Sequence, residues 1–246
     1  AQMYGVPEHQ RLRGEAATID SYKLLLSQVQ RLLSTHHAQS RIDNCMESAL
    51  VLADGRLTLG QLLSPAFRFP DLDEVFIDCC ETNLGQVQIS DDVLTLNTGF
   101  LCAGARGVIS SLWSVEDLGT CLFSIFYHQL RQEGKNRSLA LQLGQRQLRE
   151  LTGKELKKKY KKELEEALDE KLEAAYKQLQ EIERRLDSYA EGSAEYQELE
   201  EEREKLVAIY ERIFDTKNKY LKAACKKQHP FEHPAYWSAF ICAGLS

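Results

Sequence analysis

The sequence predicts an α/β fold: a mostly parallel sheet flanked by helices, with an antiparallel helical hairpin inserted before the last strand. Three observations lead there. Short apolar runs rich in β-branched residues alternate with segments of helical period. Between Lys154 and Gln228 charge rises abruptly, to 18 basic and 19 acidic residues in 75 positions with one Gly and no Pro. Within that stretch the apolar residues fall into heptad steps.

Strands are expected at Val29 to Ser34, Ala49 to Ala53, Glu74 to Cys79, Arg106 to Leu112 and Ser238 to Ala243. Helical patterns fill the gaps, at Ala17 to Gln28, Thr58 to Leu63, Asp92 to Ala103, Leu118 to Gln132 and Ser138 to Leu151. Strands that alternate with helices pair in parallel through crossovers, which covers both faces of the sheet.

In the charged stretch Leu168, Leu172, Ala175, Leu179, Ile182, Leu186 and Tyr189 step by four and three, the spacing of a coiled-coil seam. Glu191-Gly192-Ser193 breaks the pattern, and Ser193 is a natural N-cap for a second helix. A second seam then runs through Tyr196, Leu199, Leu206, Ile209, Ile213 and Tyr220. Two such helices on a short turn pack side by side, either as a spacer or as an arm that docks a partner.

Composition excludes several classes. A net charge of -6 argues against a nucleic-acid binder, which needs a basic footprint to displace counterions. No apolar run approaches the ~20 residues of a membrane span, and the N-terminus has no signal-peptide pattern. The chain opens without Met and reads as a fragment or a processed product. Seven cysteines, an odd number without a C-x-x-C pair, fit buried thiols in a reducing cytoplasm better than a disulfide framework.

Two expected strands run into reactive side chains. The first ends at His36-His37 and the second at Asp78-Cys79-Cys80. In a parallel α/β sheet, ligands and chemistry gather beyond the carboxyl ends of strands. A Cys and a His brought to one edge make a thiolate nucleophile and its base. A bare Cys at a strand end is more often a small hydrophobe. A zinc site is disfavoured, because adjacent residues on an extended strand point to opposite faces.

Six ordered blocks then carry a resemblance. Cys80-Glu81-Thr82-Asn83-Leu84-Gly85 resembles the S-A-C-E-T-x-x-G segment of CHAT domains, caspase-like peptidases attached to tetratricopeptide repeats. Thr35-His36-His37 stands where that family has T-H-G, and Leu52-Ala53-Asp54-Gly55-Arg56-Leu57-Thr58-Leu59 is similar to its L-A-D-G-x-L-T-L. Ala103-Gly104-Ala105-Arg106-Gly107-Val108 and Ser110-Ser111-Leu112-Trp113-Ser114-Val115-Glu116-Asp117 resemble A-G-A-R-x-V and S-L-W-x-V-x-D. His233-Pro234-Ala235-Tyr236-Trp237-Ser238-Ala239-Phe240 resembles the closing H-P-x-Y-W-A-A-F. The blocks span residues 14–151 and 229–246, leave the hairpin outside, and look like those of cyanobacterial HetF-type members.

The resemblance implies a caspase-like sandwich and a cysteine endopeptidase, with Cys80 as nucleophile, His36 as base and Cys79 a structural thiol. It implies an oxyanion hole from the backbone amides of Cys80 and His37. Position 37 is His where the family has Gly, which leaves His37 open as the base, with Ala38 in the Gly role. Asp78 stands where relatives carry Ser, and metacaspase-like enzymes place an Asp there for a basic P1 side chain. Asp117 follows Leu112-Trp113 as the separase residue that reads a P1 arginine does, with Trp113 lining the pocket. Cleavage after Arg, or Lys, is the expected specificity, and a helix N-cap is the alternative reading of Asp117. No metal or organic cofactor is required by that chemistry.

The expected organisation is a peptidase core at 1–153, the charged hairpin at 154–228 and the final strand at 229–246. The family carries a first strand and a repeat array upstream, so the core is expected to lack an N-terminal part. Its partners are then a protein substrate and a regulatory partner or repeat domain outside this chain. A non-catalytic pseudopeptidase that binds partners through the hairpin is the rival reading. His233 is expected to fix a turn, and His128 to lie at a surface or interface.

Overall fold

The computed structural model describes residues 5–35, 38–39, 41, 43–77, 95–113, 115–190 and 192–245. The fold is α/β. Its main sheet has the order β1 (Arg31–Ser34), β5 (Glu74–Ile77), β6 (Gly107–Ser111) and β7 (Phe240–Gly244). The first three are parallel and β7 is antiparallel. All five expected strands form within a few residues of their predicted bounds.

Two short strands escaped the sequence reading. β2 (Ala38–Gln39), β3 (Ala49–Leu52) and β4 (Gly55–Thr58) make a second, antiparallel sheet. β2 is too short to show a period, and β4 lies inside the L-A-D-G-x-L-T-L block. That block is a structural device. It turns the chain between β3 and β4, Asp54 accepts the Ile19 amide at 2.8 Å, and Thr58 with Gln61 forms a capping box for α2 (Leu59–Leu63).

The two central strands, β5 and β6, alternate between two cores, as a period of two requires, whereas β1 exposes Leu33 on one face. Val75 and Ile77 of β5 face α1 (Ile19–Leu26), α2, α3 (Leu96–Ala103) and the small sheet, through Tyr22, Leu26, Leu62 and Phe100. Phe76 faces the other way, onto Phe123 and Tyr127 of α4 (Asp117–Gln132) and the neighbouring α5 (Arg137–Glu150). His128, expected at a surface or interface, is half-buried, its ring tilted against Phe76 with centroids 4.9 Å apart, because the turn of α4 that carries it lies against β5. Burial, followed by the Arg31 and Arg131 charges, lowers its pKa to about 4.

A buried ion-pair network ties the amino-terminal edge of the sheet. Glu74, almost fully buried, accepts from Arg131 Nε at 2.8 Å and lies 3.4 Å from Arg137 Nε. Arg137 also pairs with Asp73 and donates to the Leu245 carbonyl at 2.9 Å. Gly107 makes room for it: a Cβ there would lie 2.5 Å from Arg137 Cδ.

The charged stretch folds as α6 (Gly153–Glu155), α7 (Lys161–Leu186), α8 (Ala194–Asp215) and α9 (Lys222–Ala224), with π turns at Leu156–Tyr160 and Thr216–Leu221. Ser193 caps α8 by accepting the Tyr196 amide. The base of the hairpin packs on α4 through Leu156, Leu164 and Leu221, whereas Ile182, Leu186 and Leu199 form a separate cluster towards the tip. The second seam needs correction. Ile209 and Tyr220 are exposed, and the inward positions are Tyr196, Leu199, Arg203, Leu206, Tyr210 and Ile213, with Thr216 buried after them. The π turn resets the phase before Tyr220, so a strict heptad fails there. Tyr189 lies past the end of α7 and is also exposed.

The neck of this insertion is closed at one residue. The Gly153 amide donates to the carbonyls of Lys227 and Gln228, at 3.2 and 3.3 Å. A Cβ on Gly153 would fall 2.3 Å from the Lys227 oxygen, so only glycine fits. Among the described residues no helix is long and apolar enough to cross a membrane.

Candidate functional site

Three parallel strands deliver their carboxyl ends to one edge. Ser34 of β1 and Ile77 of β5 are register partners, and β6 ends beside them at Ser111. His36 follows Ser34 by two residues and Cys80 follows Ile77 by three. His36, His37, Asp78, Cys79 and Cys80 lie outside the described residues. The strands that lead to them are direct neighbours of the same direction. Because β7 is antiparallel, its amino end and the segment before it reach this edge too.

Trp113 and Asp117 are described. Trp113 is 36% exposed and donates its Nε1–H to the Ala235 carbonyl at 3.2 Å, which fastens the loop after β6 to the segment before β7. His233 fixes the turn there as expected: its Nδ1 accepts the Ala235 amide at 3.2 Å and caps the turn Pro234–Tyr236. Tyr236 packs against Phe231 and would touch a Cβ on Gly119. A cleft of about 570 Å³ opens here between Lys227, His229, Glu232, His233, Ala235 and Tyr236.

Asp117 is not the N-cap of α4. Glu116 holds that position, its side chain makes no capping bond, and Asp117 is the first helical residue. Asp117 instead forms an ion pair with Arg212 of α8, Oδ2 to Nε 3.1 Å. Sequence reasoning missed this partner, which is 95 positions away on the hairpin and carries no local signal. Glu116 was also missed as a feature. Its Oε1 is buried without a hydrogen-bond partner. Burial, then the neighbouring Asp117 charge, raises its pKa, while the Leu118 and Gly119 amides and Lys227 pull the other way. Two carboxylates at the amino end of a 16-residue helix face the positive end of its dipole.

The cysteines differ from expectation. None of the five described is buried: Cys102 and Cys121 are exposed, and Cys45, Cys225 and Cys242 are half-buried. Cys225 and Cys242 sit at the edge of the larger apolar cluster, which an apolar run cannot distinguish from its centre. No disulfide joins them. Partial burial raises the Cys225 and Cys242 pKa values, the wrong direction for a nucleophile.

The edge therefore assembles, around strand ends in register, a loop anchored by Trp113, an acidic pair at the start of α4, a cleft, and the hairpin's Arg212. The family model described as the CHAT domain matches residues 1–245, through the hairpin as well as the core. No curated protein matches the sequence.

Proposed function

The chain belongs to the CHAT-domain family, which is related to caspase-like cysteine peptidases, and from that premise we propose that it is a cysteine endopeptidase cutting after a basic residue. Cys80 is the nucleophile and His36 the base. The observation that carries this reading is the pairing of β1 with β5, parallel and in register to Ser34 and Ile77. That pairing brings the carboxyl ends of both strands, Ser34 and Ile77, to one edge, which supports the reading.

In the reaction His36 draws the Cys80 thiol proton, and the thiolate attacks the scissile carbonyl carbon. The carbonyl π electrons move to oxygen, where the amides of Cys80 and His37 receive the oxyanion. The intermediate collapses to an acyl-enzyme as protonated His36 gives its proton to the leaving amine. Water, deprotonated by His36, then releases the acid. Asp117 receives the P1 guanidinium, Asp78 assists, and Trp113 forms a wall. Arg is preferred to Lys, since a guanidinium meets a carboxylate through two parallel hydrogen bonds. No cofactor takes part. The substrate is a protein, a repeat domain or regulatory partner governs access, and the five described thiols, outside any disulfide, suit the cytoplasm.

Labelling with an arginyl activated-ketone probe tests the assignment. Loss of labelling in Cys80→Ala, with retention in Cys79→Ala, is the expected result; labelling that survives Cys80→Ala overturns it. The rival reading, a pseudopeptidase that binds partners through the hairpin, is favoured by the exposed Tyr176, Val207 and Phe214. Under that reading partner capture survives Cys80→Ala and no peptide is cut.

A further inference from the structure

The Arg212–Asp117 pair has the chemistry of the substrate contact assigned to Asp117, made from within the chain. We propose that Arg212 is an internal stand-in for the P1 arginine, so that the hairpin holds the recognition carboxylate until substrate displaces it. The proposal rests on the reading of Asp117 as the P1 residue.

The geometry supports displacement over fastening. Arg212 Nε lies 3.1 Å from Asp117 Oδ2, and the two side chains are 56% and 42% exposed. A pair so hydrated contributes little to holding a fold. Arg212 also rides on the arm. Its carbonyl accepts the Thr216 hydroxyl at 2.8 Å, and one residue further on Lys217 is paired with Asp169 of α7. The π turn Thr216–Leu221 lies between Arg212 and the α9 anchor, and such turns mark places where a helix adjusts its path. Movement of the arm about that turn carries Arg212 with it.

Competition by a tethered group weakens the affinity for an arginyl substrate by the fraction of time the carboxylate is free. A surface ion pair of ordinary strength makes that factor about twofold to fivefold. A substrate with a neutral P1 residue has no use for Asp117 and escapes the factor.

The test uses full-length protein carrying Cys80→Ala, so that binding is read without turnover. Two fluorescent peptides differ only in P1, arginine or norleucine, and fluorescence anisotropy gives Kd. Arg212→Ala should tighten the arginyl peptide about twofold to fivefold and leave the norleucine peptide unchanged. The effect should vanish when Asp117→Asn is already present. An arginyl Kd that Arg212→Ala leaves unmoved overturns the proposal, as does equal tightening of both peptides, the mark of an arm that merely obstructs the edge. If neither peptide is preferred, with or without Arg212→Ala, the recognition role of Asp117 itself fails, and the proposal falls with it. A preference for arginine that Arg212→Ala does not alter removes the proposal alone.

Discussion

Lowering the pH from 7 to 5 should cost this fold about 2 kcal/mol through one side chain, His128. Its imidazole lies tilted against Phe76 with ring centroids 4.9 Å apart, and burial holds its pKa at about 4 against 6.5 for the free side chain. The unfolded chain therefore takes up a proton near pH 6.5 and the folded chain resists until about 4. Between those values the unfolded state binds more protons, so stability falls as pH falls. The full difference, at 1.36 kcal/mol per pKa unit, is about 3 kcal/mol, and about 2 of it is lost by pH 5. The carboxylates also titrate over this range, so the comparison must isolate the imidazole. His128→Phe keeps a ring against Phe76 and cannot be protonated. Urea unfolding at pH 7, 6 and 5 should show wild type losing about 2 kcal/mol more than the variant. Parallel pH profiles would refute the argument. So would a His128 resonance that titrates near 6.5 in the folded protein.

Glu116→Gln should raise Tm at pH 7. A carboxyl with a raised folded pKa is a burden once ionised, and the gain should fade as pH falls through that raised value and be gone below the ordinary carboxyl value of 4.5. Arg137→Met removes a buried guanidinium shared by Asp73 and Glu74, for an expected loss of roughly 3–5 kcal/mol in chemical denaturation. Gly107→Ala pushes on the same guanidinium, so the double variant should lose less than the sum of the two single changes. Ile182→Ala should destabilise the arm locally by roughly 2–5 kcal/mol. Hydrogen exchange would then speed up in α7 and α8 and stay unchanged in β5 and β6.

Strands, helices and the hairpin were legible in the sequence because each imposes its own period on the apolar residues. Val75, Phe76 and Ile77 read as a fully buried strand and are one, with a core on either face. The hairpin's first seam holds through Leu186, where helix and heptad agree. Its second seam misled at Ile209, an apolar residue one position off the seam that Tyr210 occupies, and at Tyr220, where a π turn shifts the phase without a mark in composition. Two-residue β2 is below the length at which alternation exists. At the site, motif order pointed to the ends of β1 and β5, which pair in parallel, while the residues that carry the motifs lie outside the described residues. The Arg212–Asp117 contact and the Arg131–Arg137–Glu74 network had no such signal. They join residues brought close only by the packing of α4 and α5 with the sheet and the hairpin, and a charged residue on a helix looks the same whether it meets water or a partner.

The closed neck at Gly153 makes the arm a lever with a fixed fulcrum. Because the Gly153 amide reaches the carbonyls of Lys227 and Gln228, entry and exit of the insertion occupy one point of the core. The core then meets the arm at its base, at that point and where Leu156, Leu164 and Leu221 pack on α4. Residues can be added or removed at the far turn without disturbing strand register, and such changes of loop length carry only a slow entropic penalty. The same construction magnifies movement. A helix of 26 residues is about 39 Å long, so a tilt of about 10° at the fulcrum sweeps its far end through about 7 Å. A small tilt at the base thus becomes a displacement of the size of a side chain at the tip, resisted by the two neck hydrogen bonds and by the packing of Leu156, Leu164 and Leu221 on α4.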